Sequence, residues 1–146
     1  MSLLGPGDQV RNLLGSYCDL IDAADYGGVG ALFGDSGVLA DEQGTPLATG
    51  AADIARFYAE IVRLHDGQQR TKHIVANTRL DPGADGTSIT ARSSYLVLQA
   101  LEGMPLQPII TGRYLDTFEV GGAGSWRWEE RRFSVDLTGD LSQHLR

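Results

Sequence analysis

Arg70-Thr71-Lys72-His73-Ile74-Val75-Ala76-Asn77-Thr78-Arg79-Leu80 is the stretch on which the fold turns. It is rich in β-branched and apolar residues, and no glycine or proline interrupts it, so it predicts a β-strand. The two-residue period of a strand places His73, Val75, Asn77 and Arg79 on one face and Ile74, Ala76, Thr78 and Leu80 on the other. Before this stretch apolar residues recur mainly at helical spacing; after it everything reads as strand and turn. A histidine near the start of a half-buried strand is well placed for proton transfer, because an unperturbed imidazole titrates near neutrality. The same position also suits a hydrogen-bonded structural histidine.

Working outward towards the N-terminus, residues 1–7 read as a frayed lead-in and Asp8 as an N-cap. Val10, Leu13, Leu14, Tyr17, Ile21 and Ala24 then predict a helix to about Asp25, stopping before Gly27-Gly28. One further helical turn is expected over residues 29–33, followed by a small hairpin from residues 37–41 and 46–49. A second long helix starts at Thr49 or Gly50, with Ile54, Phe57, Tyr58, Ile61 and Leu64 as its apolar stripe and Gly67 just beyond its end.

Towards the C-terminus, turns at Asp81-Pro82-Gly83 and Asp85-Gly86 precede a long strand over residues 88–101. Gly103 and Pro105 mark the next break, residues 109–120 the next strand, and residues 126–135 the last. The tail, residues 136–146, is expected to form one short helical turn after Gly139. Helices first and long sequential strands afterwards indicate an α+β domain, a curved antiparallel meander covered by the helices.

A chain of 146 residues with 42% hydrophobic and 21% charged residues suits a single globular domain. The net charge of −7 argues against nucleic-acid or anionic-membrane partners, which need a basic face. A single cysteine, Cys18, excludes an internal disulfide framework and a cysteine-rich zinc site. No apolar run approaches a membrane span and no signal-peptide pattern opens the chain, so a cytoplasmic location is expected. The 121–124 glycine turn joins strand to strand and lacks a phosphate-binding lysine, and the three histidines lack metal-ligand spacing. No cofactor and no metal are expected.

Several other side chains are candidates to line a site. Tyr17 and Tyr58 lie mid-stripe on the two long helices and could offer phenols as general acid or carbonyl-polarising donor, or serve as core residues. Asn77 shares the predicted face of His73. Tyr95 shares a face with Ile89, Ala91, Ser93 and Val97, and Tyr114 alternates with Asp116 and Phe118 opposite Arg113. An Arg113–Asp116 pair would equally suit a structural ion pair. Trp126 and Trp128 could form an aromatic wall, and are expected to be more than half buried. The run Glu129-Glu130-Arg131-Arg132 alternates sign and reads as a solvated or interface strand.

Four stretches carry a family resemblance: residues 17–25 (YCDLIDAAD), Leu32-Phe33 with the helix start Gly50-Ala51-Ala52-Asp53-Ile54, residues 70–77 (RTKHIVAN), and residues 112–118 (GRYLDTF) leading into Gly124-Ser125-Trp126-Arg127-Trp128. Their order resembles the nuclear transport factor 2-like superfamily, and within it the SnoaL-like branch, to which scytalone dehydratase and hexachlorocyclohexane dehydrochlorinase are related. The resemblance implies an α+β cone, in which a curved sheet wraps an apolar pocket closed by N-terminal helices. It further implies that Asp22 pairs with His73, the histidine acting as general base and the carboxylate orienting it. On an ideal helix Asp22 lies about 140° from Tyr17, so it must reach the pocket from the helix edge, beside Cys18, or from a loosened last turn. Scytalone dehydratase uses a second pocket histidine where this chain reads Thr111-Gly112-Arg113. Only His65 and His144 remain, one at a helix end and one in the tail, and neither is an obvious substitute.

The resemblance thus implies a small cofactor-free lyase or isomerase, a dehydratase or cyclase, acting on an apolar polyketide- or aromatic-like molecule. The competing reading is a non-catalytic binding module or a structural subunit, as in the β-subunit of ring-hydroxylating dioxygenases. Apolar residues on both faces of the long strands, such as Leu96, Val97 and Leu98, predict a homodimer or homotrimer built through the sheet.

Overall fold

The computed structural model describes residues 3–146. Its elements run α1 (Pro6–Asp22), α2 (Tyr26–Phe33), β1 (Val38–Ala40), β2 (Pro46–Thr49), α3 (Ala51–Ile61), β3 (Thr71–Pro82), β4 (Ser88–Leu101), β5 (Met104–Val120) and β6 (Trp126–Thr138). The six strands form one curved, open sheet in the order β2-β1-β6-β5-β4-β3. β3 to β6 are an antiparallel meander, and β1 adds to its β6 edge in parallel. This is the α+β arrangement expected from the order of periodicities. No helix among the described residues is long and apolar enough to cross a membrane.

Element ends differ from expectation for local reasons. α1 begins before Asp8, because extended Gly5 serves as N-cap and Pro6 supplies a φ suited to the first turn. Of the lead-in expected over residues 1–7, Pro6 and Gly7 are therefore helical, and residues 1 and 2 lie outside the described residues. α1 stops at Asp22, since Ala24 takes a left-handed φ of 58°. Asp25 then caps α2, its Oδ1 accepting from the Gly28 N–H at 2.9 Å. Gly27-Gly28 lies inside α2 instead of ending α1. Leu64, expected on the α3 stripe, falls beyond the helix and is exposed. The tail closes the one helical turn expected after Gly139, the Leu145 N–H donating to the Leu141 carbonyl at 3.0 Å.

The core lies between the helices and the concave sheet face. Val10, Leu14, Tyr17 and Ile21 of α1 are buried, with Val29 and Phe33 of α2 and Ile54 and Tyr58 of α3. Trp128 sits at its centre, its ring 5.1 Å from Phe33 and 4.7 Å from Phe118. Trp126 and Trp128 are both buried, at 8% and 0% exposure.

Two bulges reverse the alternation that a regular strand would follow. On β3, Ala76 pairs with Ser94 and Arg79 with Arg92, so Asn77 and Thr78 together oppose Ser93. Asn77 takes a φ of 56°, and inward-facing residues change from Thr71, His73 and Val75 to Thr78 and Leu80. Asn77 and Arg79 therefore do not share His73's side of the sheet. On β6, Thr117 pairs with Glu130 and Phe118 with Trp128, leaving Glu129 as the extra residue. Beyond it Arg131, not Glu130, points inward and is fully buried. The expectation that residues 129–132 form a solvated or interface strand fails at Arg131 for this reason.

Gly112 lets β5 and β6 come together where it pairs with Val135, beside a register shift between Thr111 and Gly112. A Cβ there would overlap the Ser134 carbonyl oxygen and lie 2.6 Å from the Tyr95 hydroxyl. Gly112→Ala is expected to lower unfolding stability by about 1–3 kcal/mol, the range for overpacked sites. Urea denaturation checks it, and an unchanged midpoint would show that the sheet yields freely there.

Candidate active site

The last residue of α1 and the first turns of β3 meet at one edge of the cone. Asp22 Oδ1 lies 2.6 Å from His73 Nδ1, and the two side chains are 15% and 8% exposed. The same carboxylate accepts the His73 backbone N–H, at 2.9 Å to Oδ2, and the Thr71 hydroxyl at 2.9 Å. Burial pushes the Asp22 carboxyl up, but the hydrogen bond and charge of the His73 ring, with the backbone and Thr71 donors, outweigh it, and the net shift is downward. An ionised carboxylate beside Nδ1 selects the tautomer of the neutral ring that carries its hydrogen on Nδ1 and its lone pair on Nε2. Asp22 reaches this position from the end of the helix, as its angle from Tyr17 required.

The His73 ring borders a largely apolar cavity of about 190 Å³ between helices and sheet. Tyr17, Tyr58, Tyr95 and Tyr114, all named from the sequence, line it together with Phe133. The Tyr17 and Tyr58 hydroxyls are 2.6 Å apart. Burial raises the pKa of both phenols, and that of Tyr114, so all three remain protonated at neutral pH. Tyr95 stacks on Tyr114 at 4.4 Å and donates to the Ser134 carbonyl at 2.9 Å. Its own pKa is pushed up to about 12, chiefly by burial.

Two residues expected at the site lie elsewhere. Asn77 is turned by the β3 bulge onto the exposed outer face, beside Arg79 and Arg92. Trp126 belongs to the main core with the helices and does not border the cavity.

Two other residues at the cavity were not legible as such. Arg131 forms a buried two-pronged ion pair with Asp116, Nε to Oδ1 at 2.8 Å and Nη2 to Oδ2 at 3.0 Å. Its guanidinium carbon lies 3.4 Å from the Tyr114 ring centre and 4.3 Å from that of Tyr17. Burial opposes its charge, yet Asp116 and the neighbouring phenols hold its pKa above the ordinary value. Asp116 also accepts from the Trp128 indole N–H at 3.0 Å. The pair suggested in sequence, Arg113 with Asp116, does not form; Arg113 bonds Asp136 on the outer face. The second residue is His144, which the tail folds back against the cavity, its ring centre 6.4 Å from that of His73. Only its residue type in the sequence could have pointed to it.

Burial and the neighbouring His73 push the His144 pKa down to about 4, against the smaller opposing pull of Asp22. In the unfolded chain the group titrates near 6.5. Between these values the unfolded state binds the proton and the folded state does not, so stability is complete above about pH 6.5 and declines as pH falls towards 4. His144→Phe is expected to flatten that limb, leaving the steeper loss below about pH 4 that protonation of carboxylates such as Asp22 brings. Urea midpoints at several pH values check this. An unchanged slope in the variant would show that the limb belongs to other groups.

A family model described as SnoaL-like domain matches residues 7–132. Among solved structures, the chain is similar to ActVI-ORFA from Streptomyces coelicolor, with TM-score 0.72 and 24% identity over 91% of this chain and 98% of that one. It is also similar to a candidate scytalone dehydratase from Novosphingobium aromaticivorans, with TM-score 0.70 and 20% identity over 91% and 85% of the two chains. A third is the β subunit of a candidate aromatic-ring-hydroxylating dioxygenase from the same organism, with TM-score 0.72 and 19% identity over 94% of each. No curated protein matches. At these identities the structural likenesses show the fold, and the family is shown by the model that spans most of the chain. The chain belongs to the SnoaL-like domain family.

Proposed function

We propose that this chain is a cofactor-independent lyase or isomerase in which His73 takes a carbon-bound proton from a small apolar, aromatic or polyketide-like molecule. The observation that carries the reading is the 2.6 Å Asp22–His73 contact on the wall of an apolar cavity. Nδ1 donates to Asp22, so Nε2 carries the free lone pair. Once Nε2 is protonated, the adjacent carboxylate stabilises the imidazolium. The Tyr17–Tyr58 hydroxyl pair keeps one hydrogen for a substrate oxygen, because only one of the two is used between them. The scytalone dehydratase likeness supports an enzyme of this kind.

The test is carbon-bound hydrogen exchange. Candidate ring ketones and hydroxyketones are incubated with the protein in deuterated water, and deuterium uptake is followed by mass spectrometry. Uptake with the wild type that disappears in His73→Ala supports the reading. Saturable binding with no uptake from any bound compound would favour the rival reading of a binding or structural subunit, which the dioxygenase β-subunit likeness supports.

Association through the outer sheet face belongs to the same proposal. Ile74 pairs with Leu96 across that face, and Ile74 and Leu115 are 40% and 38% exposed. A homodimer or homotrimer is expected in sedimentation at micromolar concentration, and a monomer there would refute it.

A further inference from the structure

His144 is held as firmly as a residue of a regular element, although it lies in the tail. Its backbone N–H donates to the Leu141 carbonyl at 3.0 Å, and its carbonyl accepts the Arg63 N–H at 2.8 Å. The next residue, Leu145, bridges to Val62, and the Arg146 N–H donates to the Ile61 carbonyl at 3.0 Å. The chain on both sides of the histidine is thus tied to the end of α3, and the ring is directed at the cavity.

The two nitrogens of that ring have different surroundings. Nδ1 is sealed from solvent and has no partner among the described residues. Nε2 is not sealed in this way, and the residue lines the cavity. A hydrogen on Nδ1 would be a buried donor without an acceptor, which is rarer and more costly than an unused buried lone pair. The hydrogen therefore belongs on Nε2. An imidazolium would bury the same orphan donor, so the ring stays neutral. The two histidines hold opposite tautomers: His73 faces the cavity with a lone pair, His144 with an N–H.

We infer that His144 is the electrophile of the site, a neutral imidazole whose Nε2–H holds the substrate oxygen that gains charge as His73 removes the proton from the neighbouring carbon. This rests on the proposed role of His73 as base, and it names the substrate class as an enolisable ring ketone. The C–H bond breaks, its proton goes to His73 Nε2, and its electron pair forms a C=C bond while the carbonyl π pair moves onto oxygen. His144 keeps its proton throughout, since an imidazolate would be far too basic, and acts by hydrogen bonding alone. The proton on His73 then returns to another carbon, or leaves with a β-hydroxyl group as water. Size agrees with one ring or two small fused rings: an apolar cavity of about 150 Å³ holds benzene, and this one measures about 190 Å³.

Proton-detected multiple-bond ¹H–¹⁵N correlation on the full-length labelled chain at neutral pH reads both tautomers, with His144→Gln and His73→Gln spectra giving the assignments. His144 is expected to show a pyridine-like Nδ1 and a pyrrole-like Nε2, and His73 the reverse. A pyrrole-like Nδ1 on His144 overturns the inference, whereas a pyrrole-like Nε2 on His73 overturns the reading of His73 as base, so the two failures are distinct. Deuterium exchange into 2-indanone is the second measurement. His144→Phe is expected to slow it about 100- to 1,000-fold, the scale for loss of one oxyanion donor, and His144→Gln, which keeps an N–H donor, to slow it less. Equal rates for wild type and His144→Phe overturn the inference. No exchange by the wild type overturns the ketone class.

Discussion

Replacing His73 with alanine is expected to lower turnover by about 100- to 10,000-fold, the usual contribution of a general base, and to leave the fold in place. The fold survives because Asp22 keeps two of its donors, the backbone N–H of residue 73 and the Thr71 hydroxyl. Asp22→Asn is expected to lose a similar but smaller factor: the imidazole remains, without a negative charge to fix its tautomer and stabilise its protonated form. The double variant should be little worse than His73→Ala, since residues acting as one unit are not additive. Rates are normalised to folded protein, measured by near-ultraviolet circular dichroism. A structural histidine would behave differently, lowering the melting temperature while activity per folded molecule stayed near normal. A near-wild-type normalised rate for His73→Ala would end the proposal.

The second large effect is on stability. Arg131→Met removes one partner of a fully buried ion pair and leaves the Asp116 carboxylate with the Trp128 indole as its remaining donor. Breaking such a pair on one side costs about 3–5 kcal/mol. For a domain of this size the melting temperature should drop by roughly 10 °C or more. Arg131→Met combined with Asp116→Leu should recover most of the loss, because no uncompensated charge is then buried. Thermal melts of the two single variants and the double variant measure the coupling. A drop of only a degree or two in Arg131→Met would mean that water reaches Asp116 readily, and that the pair is not sealed.

The elements and their order were legible because each is announced locally. The 3.6-residue recurrence of Val10, Leu14, Tyr17 and Ile21 marks α1, and the two-residue recurrence of Ile89, Ala91, Ser93, Tyr95 and Val97 marks β4, whose ends match expectation. The meander follows from such strands in succession. Within the site, the four tyrosines were legible because they sit on the apolar face of their own element. Asp22 was not, since at the end of α1 it lies off the apolar stripe, and only the family resemblance linked it to His73. Asn77 was misplaced and Arg131 overlooked for one shared reason. A bulge is set by a neighbouring strand, and alternation counted along a single strand cannot register it. Trp126 was misassigned because burial in the core and lining of the cavity look alike in a periodic pattern. His144 lies in no periodic segment, and its place depends on backbone hydrogen bonds to residues 61–63, some eighty positions earlier.

The extra residue on β6 has a consequence for how this chain tolerates change in length. A paired strand is read in a frame of two, and Glu129 resets that frame between Trp128 and Arg131. Deleting this one exposed residue would therefore remove the bulge and leave the facing pairs in place, Phe118 with Trp128, Thr117 with Glu130 and Asp116 with Arg131. Arg131 would stay inward on Asp116, and the strand would lose only the local bend and twist that the bulge adds. Substituting Glu129 leaves the frame untouched and should matter little. A one-residue gap between Trp128 and Arg131 among relatives of this chain is accordingly compatible with the buried ion pair, and would mark a protein that pairs these strands without the bulge.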